Sequence, residues 1–309
     1  MTRLHEVVQR LRTDPGFLGY QHQVVQWAYD SLGRSCALKE NEVATVTRLV
    51  ETLKDKPPYD RVRIETGMLH GSRSYVEFNF RDKPTTKELG DMAIITVVAD
   101  RNVRLVQRLC IIQNKSARGD RWDVDEEQLF LLKNFPPLAG NRGIFKGVGS
   151  ITFRNRSGCL GAYGLLHEPG EMVFASAGVV SECMRAGSSL HMRDTGFFPA
   201  RPFPAGIINP WIEYPWSSFG PLERFLGNVH FCRDVYDFVK DWTQINIGEP
   251  TCWDNAAVNS EADGLANHLI WQAGLGHGLE LPQGEIPVDW KFDGSMAVLV
   301  MRLDVGSKG

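Results

Sequence analysis

Two successive runs, GDMAIITVVAD (90–100) and VRLVQRLCIIQNK (103–115), constrain this chain more than any other feature. Both are apolar and β-branched at nearly every position rather than at every second one. That is the pattern of central strands covered on both faces. Such strands need a layer on each side, so an α/β sandwich is expected around them.

The flanks agree. ENEVATVTRLVETLKDK (40–56) carries acids in its first turn, lysines in its last and Pro57-Pro58 beyond, and reads as a helix. LHEVVQRL (4–11) and HQVVQWAYDSLG (22–33) keep helical spacing on either side of an Asp14-Pro15-Gly16 break. RVRIETGML (61–69) and SYVEFNF (74–80) alternate as strands, and RDKPTTK (81–87) reads as a polar turn. VDEEQLFLLKN (124–134) reads as a helix ending before Phe135-Pro136-Pro137.

Beyond residue 140, short strands are expected at 160–166 and 171–180, and helices at 222–242 and 260–273. The terminal VDWKFDGSMAVLVMRLD reads as a hairpin turning at Asp293-Gly294. The Pro-, Gly- and aromatic-rich stretch 196–221 suits an ordered loop packed on its own rings, and the aromatic-rich 197–225 segment is alternatively a stacking surface for a partner chain, a nucleotide signal or an unpaired base. With no repeat or low-complexity linker, residues 1–140 are read as a helical N-terminus plus the sheet-bearing core. Residues 141–309 are an elaborated α+β C-terminal half packed on the same body.

Composition narrows the class. A net charge of -3 over 309 residues excludes a strongly basic coat for nucleic acid, though not a local basic groove. The cysteines at 36, 110, 159, 183, 232 and 252 show no C-x-x-C spacing, so isolated thiols in a reducing compartment are expected. MTRLHEVVQRLR has no apolar signal core, and no run is long and apolar enough for a membrane span. A cytoplasmic protein without membrane contact is expected.

Polar groups at the ends of apolar strands are where an α/β sheet builds a site. Glu88-Leu89-Gly90-Asp91 enters the first buried strand and Gln113-Asn114-Lys115 leaves the second. Alternation puts Gln113 and Lys115 on one face and Asn114 on the other, and pairing of the strands brings Asp91 opposite. Asp91 offers the hard anionic oxygen that magnesium prefers, and Gln113 or a neighbouring backbone carbonyl offers a neutral one. Lys115 can orient an attacking water or neutralise charge on a phosphorane-like transition state. These groups suit metal-assisted phosphodiester hydrolysis.

The ELGD strand followed by the QNK strand resembles the PD-(D/E)XK nuclease superfamily, in the variant where glutamine replaces the second acid. The resemblance spans about residues 40–135. It is similar to defence-associated bacterial proteins whose next helix carries Gln-Leu, here Gln128-Leu129, before a Phe-Pro, here Phe135-Pro136. It implies a restriction-endonuclease-like mixed sheet flanked by helices, and a magnesium- or manganese-dependent DNA endonuclease in antiviral defence. Asp91 and Gln113 would be the metal ligands and Lys115 the catalytic cation. By analogy it also implies a homodimer or a regulatory partner.

Glutamine leaves the site one negative charge short. A third acid is sought in Glu88 or Glu65, and less readily in Glu51 or Glu42 of the 40–56 helix. His70 is read as a satisfied, partly buried residue, and the histidines show no H-x-x-x-H pair. Gln128 is a candidate for positioning a phosphate or water. Arg104, Arg108, Arg118 and Arg121 are candidate contacts to the nucleic-acid backbone, with a solvated strand face beside acidic residues as the alternative. A competing reading is a catalytically silent or partner-activated module that binds nucleic acid or a ligand.

Overall fold

A computed structural model describes residues 13–69, 74–100, 103–140, 149–155, 157–184, 189–191, 228–253, 256–275 and 296–304. The expected first helix at 4–11, His70, the aromatic-rich stretch 196–221 and the Asp293-Gly294 turn lie outside these residues.

The Asp14-Pro15 break is a helix start. Asp14 Oδ1 accepts from Gly16 N at 3.1 Å, and Pro15 pre-sets the first turn of α1 (Pro15–Ala37). Asn41 caps α2 (Glu42–Leu53) by accepting from Ala44 N at 2.9 Å. Then come β1 (Val62–Leu69), β2 (Tyr75–Phe80) and β3 (Lys83–Glu88). β3 corrects the expected polar turn: KPTTKE pairs along β2, and only Arg81 and Asp82, both at positive φ, make the turn. Pro84 is tolerated because β3 is the outer strand of a three-stranded sheet.

β4 (Met92–Asp100) and β5 (Val103–Ser116) pair antiparallel at the centre of a nine-stranded mixed sheet. β6 (Arg121–Asp123) and α3 (Glu126–Asn134) follow, and then the short β7 (Leu138–Gly140). Asp125 caps α3, and Phe135 ends it in a left-handed conformation. β8 (Gly161–His167) runs parallel to the second half of β5, and β9 (Glu171–Ser176) pairs antiparallel with β8. The expected strand through 180 stops at Ser176, whose Oγ accepts from Val179 N and caps α4 (Ala177–Cys183).

β10 (Ser189–His191) pairs with β6, and β11 (Phe231–Cys232) with β9. α5 (Val235–Thr243) begins later than the helix expected from 222, because residues 231–232 are strand. β12 (Glu249–Trp253) takes the first half of the β5 edge whose second half holds β8. β13 (Ala256–Ala257) and α6 (Ser260–Gln272) precede β14 (Met296–Asp304). β14 has β1 antiparallel on one edge and β4 parallel on the other.

The main sheet separates two cores. One lies under α1, α2 and α5 and includes Phe17, Val24, Ile94, Ile112, Phe238 and Trp242. The other lies under α3, α4 and α6 and includes Ile95, Ile111, Trp122, Leu132, Tyr163 and Leu269. Alternation along β4 and β5 sends successive side chains to the two cores, which explains the uninterrupted apolar runs. Among the described residues, no helix is long and apolar enough to cross a membrane.

Candidate active site

Gly90 sets the approach to Asp91. A Cβ at Gly90 would lie 2.7 Å from Ile111 Cγ2 and 3.0 Å from Ile112 O, so only glycine lets this segment lie so close to β5. Asp91 N donates to Ile112 O at 3.0 Å and Asp91 O accepts from Ala297 N at 2.9 Å, pinning the backbone to strands on both sides. One step beyond the Met92–Ile112 pair, Asp91 stands opposite Gln113. The side chains meet there, with Gln113 Nε2 donating to Asp91 Oδ2 at 2.5 Å. Asn114 turns its side chain to the other face, and its backbone N–H donates to the same Oδ2 at 2.7 Å.

Asp91 and Gln113 are each 7% exposed, and Lys115 is half-buried. Burial pushes the Asp91 carboxyl up from 3.8 to about 7. The Asn114 N–H pulls it down, Glu88 pushes it up, Lys115 pulls it down and Glu42 pushes it up. Glu88 of β3, Lys115 of β5 and Glu42 of α2 therefore all act on Asp91 at one end of the sheet. Asp91 Oδ1 accepts no hydrogen bond among the described residues, and Lys115 Nζ makes none there.

The other candidates divide. Glu88 ends β3, and Gln128 ties that end down by donating from Nε2 to Glu88 O at 2.9 Å. Gln128 is itself buried at the N-terminus of α3, so its amide braces the strand that delivers Asp91. Glu42 reaches the site from the first turn of α2, where its Oε1 accepts from Ser116 N at 2.9 Å. Glu51, nine residues further along the helix, is exposed and about 13 Å from Glu42.

Glu65 is not brought to the site. It lies level with Val300 and Ile95, four rows from Asp91 and two strands away. There it is held by Arg302 Nε at 2.5 Å and Arg63 Nε at 2.9 Å.

Arg104 and Arg108 face inward to structural partners. Arg104 donates to Asp263 at 2.8 Å, Asn267 at 2.9 Å and Gln107 at 3.0 Å. Arg108, 1% exposed, donates to Ile245 O at 2.6 Å and to Asn228 Oδ1. Neither guanidinium is placed to meet a phosphate, because each is committed to groups from the C-terminal half. Arg118 and Arg121 are exposed beside β6 and only loosely paired with Asp123, at 3.5 Å and 3.8 Å.

The oxygen donors open to a metal are Asp91 Oδ1, nearby backbone carbonyls and, if its amide turns over, Gln113 Oε1. Among the described residues no three His, Cys, Asp or Glu side chains cluster as a ready-made ligand set. Two contributions escaped the sequence: the Asn114 backbone N–H, which alternation hides, and the placement of Glu42 against Ser116. No family model matches the chain, and no curated protein or solved structure is significantly similar to it.

Proposed function

We propose that this chain is a magnesium- or manganese-dependent nuclease of the PD-(D/E)XK superfamily, acting on DNA as an endonuclease. One observation carries the reading. Asp91, Gln113 and Lys115 share one face at one end of two paired central strands, with the Asp91 carboxylate nearly buried and the Lys115 ammonium uncommitted among the described residues. A buried carboxyl pushed up to about 7, with two further acids acting on it, is an environment that a cation relieves.

Asp91 Oδ1 and a neutral oxygen at Gln113 would hold the ion, with Glu88 and Glu42 acting from a distance. When bound, it supplies Lewis-acid polarisation of the phosphodiester and a more acidic water. Asp91 would release its proton to solvent for its oxygen to serve as a ligand. Lys115 orients the attacking water or offsets charge growing on the phosphoryl oxygens. Asn114 N–H would hold the Asp91 carboxylate in one orientation throughout.

The restriction-endonuclease-like fold, the defence role, the cytoplasmic setting and a homodimer or regulatory partner rest on the sequence resemblance alone. A second reading, a catalytically silent or partner-activated binding module, is favoured by the Gln113 geometry. Its amide nitrogen, not its oxygen, faces Asp91, and the site carries one acid fewer. Titration of wild type and Asp91→Asn with manganese, together with cleavage of matched DNA and RNA strands, separates the two. Asp91-dependent metal binding with cleavage supports the nuclease. Neither metal binding nor cleavage by wild type moves the weight to the silent module.

A further inference from the structure

A cleft of about 240 Å³ lies at the carboxyl ends of the parallel strands β5 and β8, where open α/β sheets hold ligands. It is on the other face of the sheet from Asp91, Gln113 and Lys115, since Ser116 alternates with Lys115. Leu32 of α1 and Leu166 of β8 line it with apolar surface from the core beneath α1 and α2. The β8–β9 turn closes on α1 beside it. Gly170, at φ +114, lies so near that helix that a Cβ would come 2.5 Å from Gly33 Cα. Ser116 and Thr45 of α2 also line the cleft, and the Ser116 N–H ties β5 to α2 through Glu42.

Polar groups in this cleft are unmet. Thr45 is 6% exposed and its N–H is spent on Asn41 O, yet its hydroxyl has no partner among the described residues. Neither has the Ser116 hydroxyl. His167 donates from Nδ1 to Glu168 O at 2.9 Å, because a carbonyl can only accept. Its Nε2 is therefore an acceptor, with no partner among the described residues. Charge restricts what can enter. Three carboxylates (Glu40, Glu168 and Glu171) line the cleft against one ammonium, Lys39, and the negative end of α1 adds to them, which disfavours an anion. Glu40 is already bound by Arg48, and Glu171 accepts from Val235 N at 3.3 Å, so neither is free to pair with a cation.

We propose that this cleft binds one uncharged nucleobase, brought as a free nucleoside or as an unpaired base of a strand. A base supplies what the lining asks for. Its ring faces cover Leu32 and Leu166. An N–H or amino group donates to His167 Nε2, and carbonyl or ring-nitrogen acceptors take the hydroxyls of Thr45 and Ser116. A sugar would meet the hydroxyls and leave the apolar surface uncovered. The volume falls just below the roughly 300–1,000 Å³ of common ligand sites, which suits one base and not a dinucleotide. Ser116 directly follows Lys115, so a base seated here borders the proposed catalytic centre from the other face of β5. The strand source rests on the nuclease reading, and the free nucleoside does not.

Calorimetric titration in EDTA tests it, with adenosine, cytidine, guanosine and thymidine, with ribose and inorganic phosphate as competitors, and with a short DNA strand and its abasic counterpart. Wild type, Thr45→Val and Ser116→Ala are compared. The expected result is binding of at least one nucleoside that neither competitor displaces. Each variant should weaken it about threefold to tenfold without lowering the melting temperature, because the free protein loses no hydrogen bond. Binding of the strand, but not of its abasic counterpart, that weakens in Thr45→Val makes a strand-borne base the ligand. A strand indifferent to Thr45→Val makes it the free nucleoside. Absence of binding by every nucleoside and by the strand overturns the proposal. So does binding unmoved by both variants, displacement by ribose or phosphate, or a lower melting temperature with unchanged binding. Nucleoside binding that weakens in Thr45→Val, in a wild type that cuts no nucleic acid, leaves the cleft standing and removes the nuclease reading. Cleavage without any such binding does the reverse.

Discussion

Replacing Asp91 with asparagine should make the folded protein more stable at pH 8 while removing the oxygen proposed to bind the metal. The carboxyl titrates at 3.8 when unperturbed and at about 7 in the fold. Below the lower value it is protonated whether the chain is folded or not. Between the two, the unfolded chain releases its proton first, so stability falls as pH rises, and above the upper value the loss is complete. Roughly three pH units at about 1.4 kcal/mol each amount to about 4 kcal/mol. Asparagine keeps an oxygen for Gln113 Nε2 and Asn114 N and carries no charge. Urea unfolding of both proteins in EDTA, from pH 4 to pH 8, should show curves that nearly coincide at the acid end. They should separate in the variant's favour by up to about 4 kcal/mol at the alkaline end. Magnesium should narrow the gap by binding folded wild type alone. A variant less stable than wild type at pH 8 would refute the reasoning, because the ionised carboxylate would then be stabilising the fold.

Lys115→Ala should reduce cleavage by about a hundredfold or more and change stability by less than about 0.5 kcal/mol. Kinetics and thermal melting on one preparation check both halves. Gly90→Ala should displace Asp91, because the new Cβ meets Ile111 and a backbone oxygen. A stability loss of about 1–3 kcal/mol, with weaker manganese binding in calorimetry, is the expected outcome. Arg108→Ala should cost about 3 kcal/mol in denaturant by stripping Ile245 O and Asn228 of a buried donor. The salt dependence of DNA binding should be unmoved by it. Arg118→Ala and Arg121→Ala should do the opposite, each flattening that salt dependence by about one unit of slope at unchanged melting temperature.

β4 and β5 were legible because seven consecutive buried residues, Met92–Val98, leave no alternative to a strand covered on both sides. α2 was legible from its termini. The face shared by Gln113 and Lys115 followed from alternation, and Asp91 does meet Gln113 there. What escaped is non-local. MAVLVMRL reads as a strand, and nothing in it says that it inserts between β1 and β4. Arg104 and Arg108 form a basic stripe in the sequence, and their partners Asp263, Asn228 and Ile245 are supplied from far along the chain. Glu65 sits on a strand near the site in sequence and is drawn to Arg302 of β14 instead. β3 escaped for a local reason: Lys83, Pro84 and two threonines look like a turn wherever the edge position that tolerates proline is unknown.

Plasmid cleavage in magnesium by wild type, Lys115→Ala and Asp91→Asn, with an EDTA control, tests the proposed centre most directly. Wild type should nick or linearise the DNA, lose that activity with EDTA, and far outpace both variants. Equal cleavage by all three would contradict the site. Metal binding that ignores Asp91→Asn, with no cleavage by wild type, would contradict the nuclease itself.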